Sequence, residues 1–348
     1  MLPINVTVSV TNLCNSKCST CFIWRFYLDR PHLKNSEFTS EEFRQAFRSL
    51  GEAPFWITIS GGEPFLRSDL PGICEAASKY CKPAVITIPT NGLLPDSIED
   101  SSRAILQRIG DTELLVNLSL DGIETRHDKI RGVPGNFKRV VQTYDRLNAL
   151  KREHGNLKIG IHTVVSKFNV NELSEIYGFS KKLAPDNYIT EIAEERTELF
   201  NQGRNITPNP DQYSTAIRDL LFHMRQEALH ARSPIARARH AFRLSYYEIV
   251  ERLLREKRQI VPCYASFASC HITPFGDVWP CCVLGYDSVI GNLRDYGYDF
   301  RKLWFSEKAD EIRKYVKDGR CACPLANAHY TSMLCDFPTL ARVMADLW

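Results

Sequence analysis

Three cysteines fall within eight residues in Cys14-Asn15-Ser16-Lys17-Cys18-Ser19-Thr20-Cys21, with no fourth nearby. Thiolates this close can converge on one small object, and they select soft metals and iron–sulfur clusters. Structural zinc and ordinary four-cysteine clusters need a complete ligand set. Three ligands leave one position for something that is not protein, which suits a catalytic site. A zinc knuckle or three reduced core thiols are the plainer alternatives. Gly61-Gly62-Glu63-Pro64 follows a strand pattern, and its two glycines allow a ligand close to the main chain. A tight turn would use the same residues. Glu191 and His162 fall on consecutive strand patterns, where a carboxylate beside an imidazole could move a proton or hold hydroxyls. An ion pair from Glu191 or Glu195 to a nearby arginine is the alternative.

These residues need a frame, and the hydrophobic periodicity supplies one. Strands are expected at 4–10, 55–59, 84–88, 114–119, 158–165 and 188–192. Between them fall helices: one capped by Thr39 with Glu42 at capping-box spacing, then 69–80, 96–109, 137–153 capped by Asn136, and 172–183. Six strand–helix steps with short apolar strands imply a parallel sheet with right-handed crossovers, two steps short of a closed eightfold barrel. The polar and glycine-bearing residues all follow strands, at the carboxyl edge where such folds collect their chemistry. The expected fold is thus α/β: a partial (β/α)6 TIM-like barrel over 1–195, a helical connecting segment over 196–258, and a small cysteine-rich α+β domain over 259–348.

The connecting segment carries twelve Arg or Lys against seven acids. Its stretch 229–243 holds Arg232, Arg237, Arg239 and Arg243 with His230 and His240 and no acid. A solvated helix face explains this. A basic wall beside an anionic substrate or an acidic redox partner would explain it too. With 348 residues, 44% hydrophobic and 24% charged, the chain has the composition of a soluble globular protein. A net charge of +3 selects no nucleic acid, which is not the expected partner. No signal peptide and no long apolar segment is present, so the default location is the cytoplasm. Twelve cysteines in such a chain point to metal or redox chemistry rather than disulfides. Seven of them lie between Cys263 and Cys335 and none between Cys81 and Cys263.

The C-x3-C-x2-C spacing of Cys14, Cys18 and Cys21, with Gly61-Gly62-Glu63-Pro64 one strand later, resembles the radical S-adenosylmethionine (SAM) superfamily. The resemblance implies a [4Fe-4S] cluster on the three cysteines, whose open iron chelates the amino and carboxylate groups of SAM. Gly61, Gly62, Glu63 and Pro64 would grip the SAM amino group. Asn91 in Thr90-Asn91-Gly92, and Ser119 and Asp121 in Ser119-Leu120-Asp121-Gly122, would be further SAM contacts. Arg131 resembles the arginine that pairs with the SAM carboxylate in the peptide-modifying branch, a role suited to its fork. Many members carry an aromatic residue just before the third cysteine, where this chain has Thr20. Phe22 or Trp24 is expected to take its place beside adenine.

Cys263, twelve residues, Gly276, four residues and Cys281 resemble the opening of the SPASM/twitch auxiliary-cluster domain. Gly291-Asn292-Leu293, a helix around Trp304 and Cys321-Ala322-Cys323 resemble its return to the cluster. A full SPASM domain would add C-x2-C-x5-C-x3-C, whereas here C-x-C is followed by Cys335 twelve residues on. The resemblance therefore implies one auxiliary [4Fe-4S] cluster on Cys263, Cys281, Cys321 and Cys323, with Cys335 an alternative fourth ligand and zinc the alternative metal. If not a ligand, Cys335 could donate a hydrogen atom and make the enzyme an epimerase. Cys270 and Cys282 are expected to be spare thiols, and Cys74 and Cys81 buried structural ones. In this family an electron from a donor such as flavodoxin or ferredoxin enters SAM through the cluster. The resulting 5′-deoxyadenosyl radical takes a hydrogen atom from the substrate, leading to oxidation, epimerisation or rearrangement. A small polar substrate, sugar-like, aminocyclitol-like or phosphorylated, is the preferred expectation. Peptide maturation is the alternative, because many peptide-maturing relatives carry an N-terminal leader-binding domain and here the first strand begins at Ile4. A non-catalytic electron carrier would need neither Gly61-Gly62-Glu63-Pro64 nor Arg131.

Overall fold

The computed structural model describes residues 1–230 and 234–345. Six parallel strands, β1 (Asn5–Thr11), β2 (Trp56–Gly61), β3 (Val85–Thr90), β4 (Glu113–Ser119), β5 (Leu157–Val165) and β6 (Asn187–Ile192), pair in sequence order. The helices that follow the opening turn α1 (Phe26–Asp29) are α2 (Ser40–Leu50), α3 (Leu70–Cys81), α4 (Pro95–Leu106), α5 (Glu124–Arg131), α6 (Asn136–Lys151) and α7 (Leu173–Leu183). Next come α8 (Pro210–His230) and α9 (Pro234–Glu256), which pack on each other. The cysteine-rich end forms β7 (Ser269–Ile272), β8 (Asp277–Trp279), β9 (Gly291–Asn292), α10 (Phe300–Trp304), α11 (Glu307–Lys317), α12 (Ala326–Cys335) and α13 (Phe337–Ala345). The sheet runs β6-β5-β4-β3-β2-β1-β7-β8-β9 and does not close, so the barrel is open and partial.

Register explains both faces. Val6, Ile57, Ile86, Leu114 and Leu157 stand side by side across five strands, and all are fully buried. This row faces the helices, and burying each such side chain contributes about 1.5–3 kcal/mol. The intervening residues form the inner face: Ser9, Thr58, Thr87, Asn117, Ser119, His162 and Glu191. The capping box on α2 is present, with Glu42 N–H donating to Thr39 Oγ1 and Thr39 N–H to Glu42 Oε2. Asn136 departs from expectation: the cap is Gly135, and the Asn136 side chain turns inward to another task described below.

The cysteine-rich end is built into the barrel rather than appended to it. β7 lies parallel to β1, with Thr7 opposite His271 and Val8 opposite Ile272. Asn5 Nδ2 donates to Thr331 Oγ1 of α12 at 2.9 Å, and buried Trp304 Nε1 donates to Met1 O at 2.9 Å. Arg294 Nε donates to Glu42 Oε1 at 2.7 Å and ties the loop after β9 to α2. Among the described residues no helix is long and apolar enough to cross a membrane.

Candidate functional site

The cysteine loop leaves β1 at Thr11 and is held from several directions. Thr11 Oγ1 and Asn12 N–H donate to Glu37 Oε1 at 2.9 and 2.8 Å, and the Tyr27 hydroxyl donates to the same oxygen. Lys17 N–H donates to Arg131 O at 3.0 Å and Ser19 N–H to Ile130 O at 2.8 Å, so the end of α5 lines one side of the loop. Asn201 Nδ2 donates to Thr20 O at 2.8 Å from the other side. Within this frame the thiols of Cys14, Cys18 and Cys21 converge closely enough that Cys18 opposes the ionisation of both Cys14 and Cys21. Burial pushes the Cys14 thiol up to about 12 and Cys21 higher still. Three thiols gathered in one loop are poor structural ornaments but good ligands, since a metal centre compensates the charge of the thiolates. The donor set fits a cluster held by three protein ligands.

The ends of β2, β3 and β4 close around this loop. Gly62 N–H donates to Thr11 O at 2.7 Å and Glu63 N–H to Leu13 O at 2.8 Å. A Cβ at Gly61 would stand 2.2 Å from Thr11 O, and one at Gly62 2.2 Å from Leu13 O. Only glycine permits that approach. Glu63 is buried and accepts from Thr90 Oγ1 at 2.9 Å, Asn91 N–H at 2.8 Å and Phe65 N–H at 3.3 Å. Burial raises its carboxyl to about 7 despite these bonds. Pro64 opens the buried turn after it. Asn91 Nδ2 donates to Asn15 Oδ1 at 2.7 Å and lies 4.0 Å from Cys14 Sγ.

A buried relay joins the β3 and β4 edges. Asp121 N–H donates to His127 Nδ1 at 3.1 Å, which leaves the ring proton on Nε2 to donate to Asn136 Oδ1 at 3.1 Å. Asn136 Nδ2 then donates to Asn91 O at 3.0 Å. Burial lowers His127 to about 4, so the ring is neutral near pH 7 and keeps this tautomer. Asp121 accepts from Val164 N–H at 2.8 Å and from Arg131 Nη1 at 3.0 Å. Arg131 Nε is buried with no partner. Ser119, the last residue of β4, stands opposite His162.

The inner face brings His162 and Glu191 together, Nε2 to Oε1, at 3.7 Å, and His162 Nε2 has no hydrogen-bond partner. Glu191 also faces Arg196 at 3.9 Å, and Arg196 Nε lies 3.0 Å from Glu194 Oε1. Burial raises Glu194 to about 7. Glu195 takes no part, since it accepts from Gly203 and Asn205 N–H at 2.6 Å each. Arg196 and Glu194 were not singled out from sequence. Their signal was position, directly after the sixth strand.

Cys263, Cys281, Cys321 and Cys323 form a second group whose thiols raise one another, after burial has pushed Cys263 up to about 11 and Cys281 to about 12. This four-thiol donor set fits an auxiliary cluster. Cys335 stands outside it at the last turn of α12, beside Leu334, and only burial affects its thiol. α12 itself packs against the four-thiol group, with Ser332, one turn before Cys335, hydrogen-bonded to Cys263. Cys270 is buried in the helix-side core, as are Cys74 and Cys81 on α3. Phe22 lies with its ring 4.5 Å from the Arg204 guanidinium, and Trp24 is 6.4 Å from Phe22.

Two arginines of the basic stretch stand apart from this site. Arg239 and Arg243 line a cavity of 480 Å³ with Trp56, Val85, Lys158 and Asn187, at the edge where the strands begin. α9 carries them there because it packs against α12 and α13, below the sheet's chemistry. Arg232 and the side chain of His230 lie outside the described residues.

Residues 8–179 match the family model of the radical SAM superfamily, and 263–324 match that of the SPASM iron–sulfur cluster-binding domain. The chain is 24% identical over 337 residues to the antilisterial bacteriocin subtilosin biosynthesis protein AlbA of Bacillus subtilis, covering 93% of this chain and 66% of AlbA. It is 28% identical over 178 residues to the sporulation killing factor maturation protein SkfB of the same organism, covering 50% of this chain and 39% of SkfB. The chain thus spans under two thirds of the length of either relative. The crystal structure of Streptococcus suis SuiB bound to SAM shares the fold, with a TM-score of 0.63 at 15% identity over 90% of this chain and 68% of SuiB. The chain belongs to the radical SAM superfamily and carries a SPASM domain behind its open barrel, so its cofactors are SAM, a SAM-binding [4Fe-4S] cluster and an auxiliary iron–sulfur cluster.

Proposed function

We propose that this radical SAM enzyme modifies a peptide. The observation that carries the reading is the extent of the similarity to AlbA, which runs through 93% of the chain and is to a protein named for bacteriocin biosynthesis. SkfB, named for maturation of a killing factor, points the same way. The basic wall offered as one reading of the arginine-rich stretch gives no support to an anionic substrate at the chemistry, because Arg239 and Arg243 line a cavity at the opposite edge of the sheet.

When bound, SAM on a three-thiolate cluster supplies a 5′-deoxyadenosyl radical that removes a substrate hydrogen atom. Cys14, Cys18 and Cys21 would hold that cluster, and Cys263, Cys281, Cys321 and Cys323 the auxiliary one. The Gly61-Gly62 main chain lets the SAM amino group approach, and Glu63 would offset its charge while tying the β2 and β3 edges together. Asp121 fixes one arm of Arg131, which leaves Nε–H to meet the SAM carboxylate. Glu191 and His162 would hold the substrate or accept its proton within the lumen.

The test is 5′-deoxyadenosine release by the anaerobically reconstituted, reduced enzyme. Short peptides encoded beside its gene should stimulate release and change in mass or in deuterium content in heavy water. Stimulation by phosphorylated sugars or nucleotides, with the peptides inert, would overturn the reading.

A further inference from the structure

Between the two cysteine sets, close to Cys21 on one side and to Cys281 and Cys323 on the other, three side chains of ligand type meet from three separate segments. Glu198 follows β6, His271 lies on β7, and Cys282 follows β8. One carboxylate oxygen, one ring nitrogen and the Cys282 sulfur all lie within 4.8 Å of one another. Ligand atoms around a tetrahedral zinc ion stand roughly 3–4 Å apart, so small side-chain rotations would close the set. His271 Nδ1 to Glu198 Oε1, at 3.8 Å, already has that spacing.

The histidine is prepared for a ligand. Its Nε2 lies 2.8 Å from Ser9 Oγ, and a proton donated there leaves the lone pair on Nδ1. That nitrogen is buried and has no hydrogen-bond partner, in a ring that is 1% exposed. Metal-binding histidines hold their second nitrogen in this manner. Glu198 presents one oxygen to His271 and the other, at 3.8 Å, to Arg196, which would orient it. Charge favours a cation as well, since Glu191, Glu194 and Glu198 all converge on the single guanidinium of Arg196. Cys282 is buried beside them, next in sequence to Cys281 and packed in one cluster with it and Cys323.

We propose that Glu198, His271 and Cys282 form a further metal centre, a mononuclear site for a divalent ion of the zinc type. Thiolate, imidazole and carboxylate together select zinc over magnesium or calcium. Three protein ligands leave one position for a non-protein ligand. The site stands independently of whether the substrate is a peptide.

Elemental analysis of the holoprotein, prepared anaerobically with zinc in the medium, tests this. About one zinc per chain is expected in addition to cluster iron. Cys282→Ser and His271→Gln should each lose that zinc and keep their iron. X-ray absorption at the zinc edge should show one sulfur neighbour, where zinc in the four-cysteine group would show four. Ser9→Ala keeps all three ligands and should weaken zinc binding about tenfold against a chelating dye. That variant decides the matter should either ligand variant misfold. Zinc absent from the wild type, retained by both ligand variants, or held by four sulfurs overturns the proposal. Loss of iron from a folded Cys282→Ser would overturn it too, by making Cys282 a cluster ligand.

Discussion

Glu63 sits at the sheet edge with three donors on its carboxylate, yet burial raises its pKa from 4.5 to about 7. Between those two pH values the unfolded chain releases the proton and the folded one keeps it. The protonated group's stabilisation is therefore full below pH 4.5 and lost as pH rises through about 7. A shift of this size corresponds to roughly 3 kcal/mol. In SAM-free protein, the urea midpoint should fall more steeply with rising pH for the wild type than for Glu63→Gln. Parallel pH profiles would mean that Glu63 is ionised throughout. Glu191 makes a second case. It faces His162 at 3.7 Å and Arg196 at 3.9 Å. Glu191→Gln should retain both clusters and cleave SAM slowly while losing product; a normal product yield would leave Glu191 a structural role.

At the scale of elements, the critical junction is the close pass of the β2 turn under the cysteine loop. Gly62→Ala would drive a methyl group against Leu13 O, a main-chain atom that cannot swing aside. Reconstitution of that variant should recover about half the wild-type iron, because only the loop that carries Cys14, Cys18 and Cys21 is displaced. Full iron content would show that the loop tolerates the shift. The capping box on α2 was readable from Thr39 and Glu42 because capping is local. Asn136 misled for the complementary reason. It has the type of a cap and the right spacing, but Asn91 and His127 compete for its amide and win by burial.

At the scale of the whole molecule, β7 continues the barrel sheet from β1, so the two cysteine sets hang on one continuous sheet. Wild-type protein reconstituted without oxygen should hold about eight irons, in two [4Fe-4S] clusters. Replacing Cys14, Cys18 and Cys21 by alanine should leave about four and abolish 5′-deoxyadenosine release. About twelve irons in the wild type would bring Cys270, Cys282 and Cys335 back as ligands, and release by the triple variant would sink the assignment of the first three.

The alternating strand and helix periods, the three-cysteine spacing and the glycine pair were enough to locate the carboxyl edge and to bring out Cys14, Cys18 and Cys21 as one candidate ligand set there. Each is a local pattern, set by neighbours within a turn or a strand. Which thiols share a cluster is a different kind of question, because Cys263, Cys281 and Cys323 are separated by long stretches of chain and Cys335 is closer in sequence to Cys323 than Cys281 is. Packing alone brings the Cys263, Cys281 and Cys323 thiols close enough to raise one another, an effect the Cys335 thiol does not feel. The same holds for the basic stretch, whose charge was visible but whose edge of the sheet was set by how α9 docks. The meeting of Glu198, His271 and Cys282 likewise depends on β7 pairing with β1, a long-range contact that no spacing rule encodes.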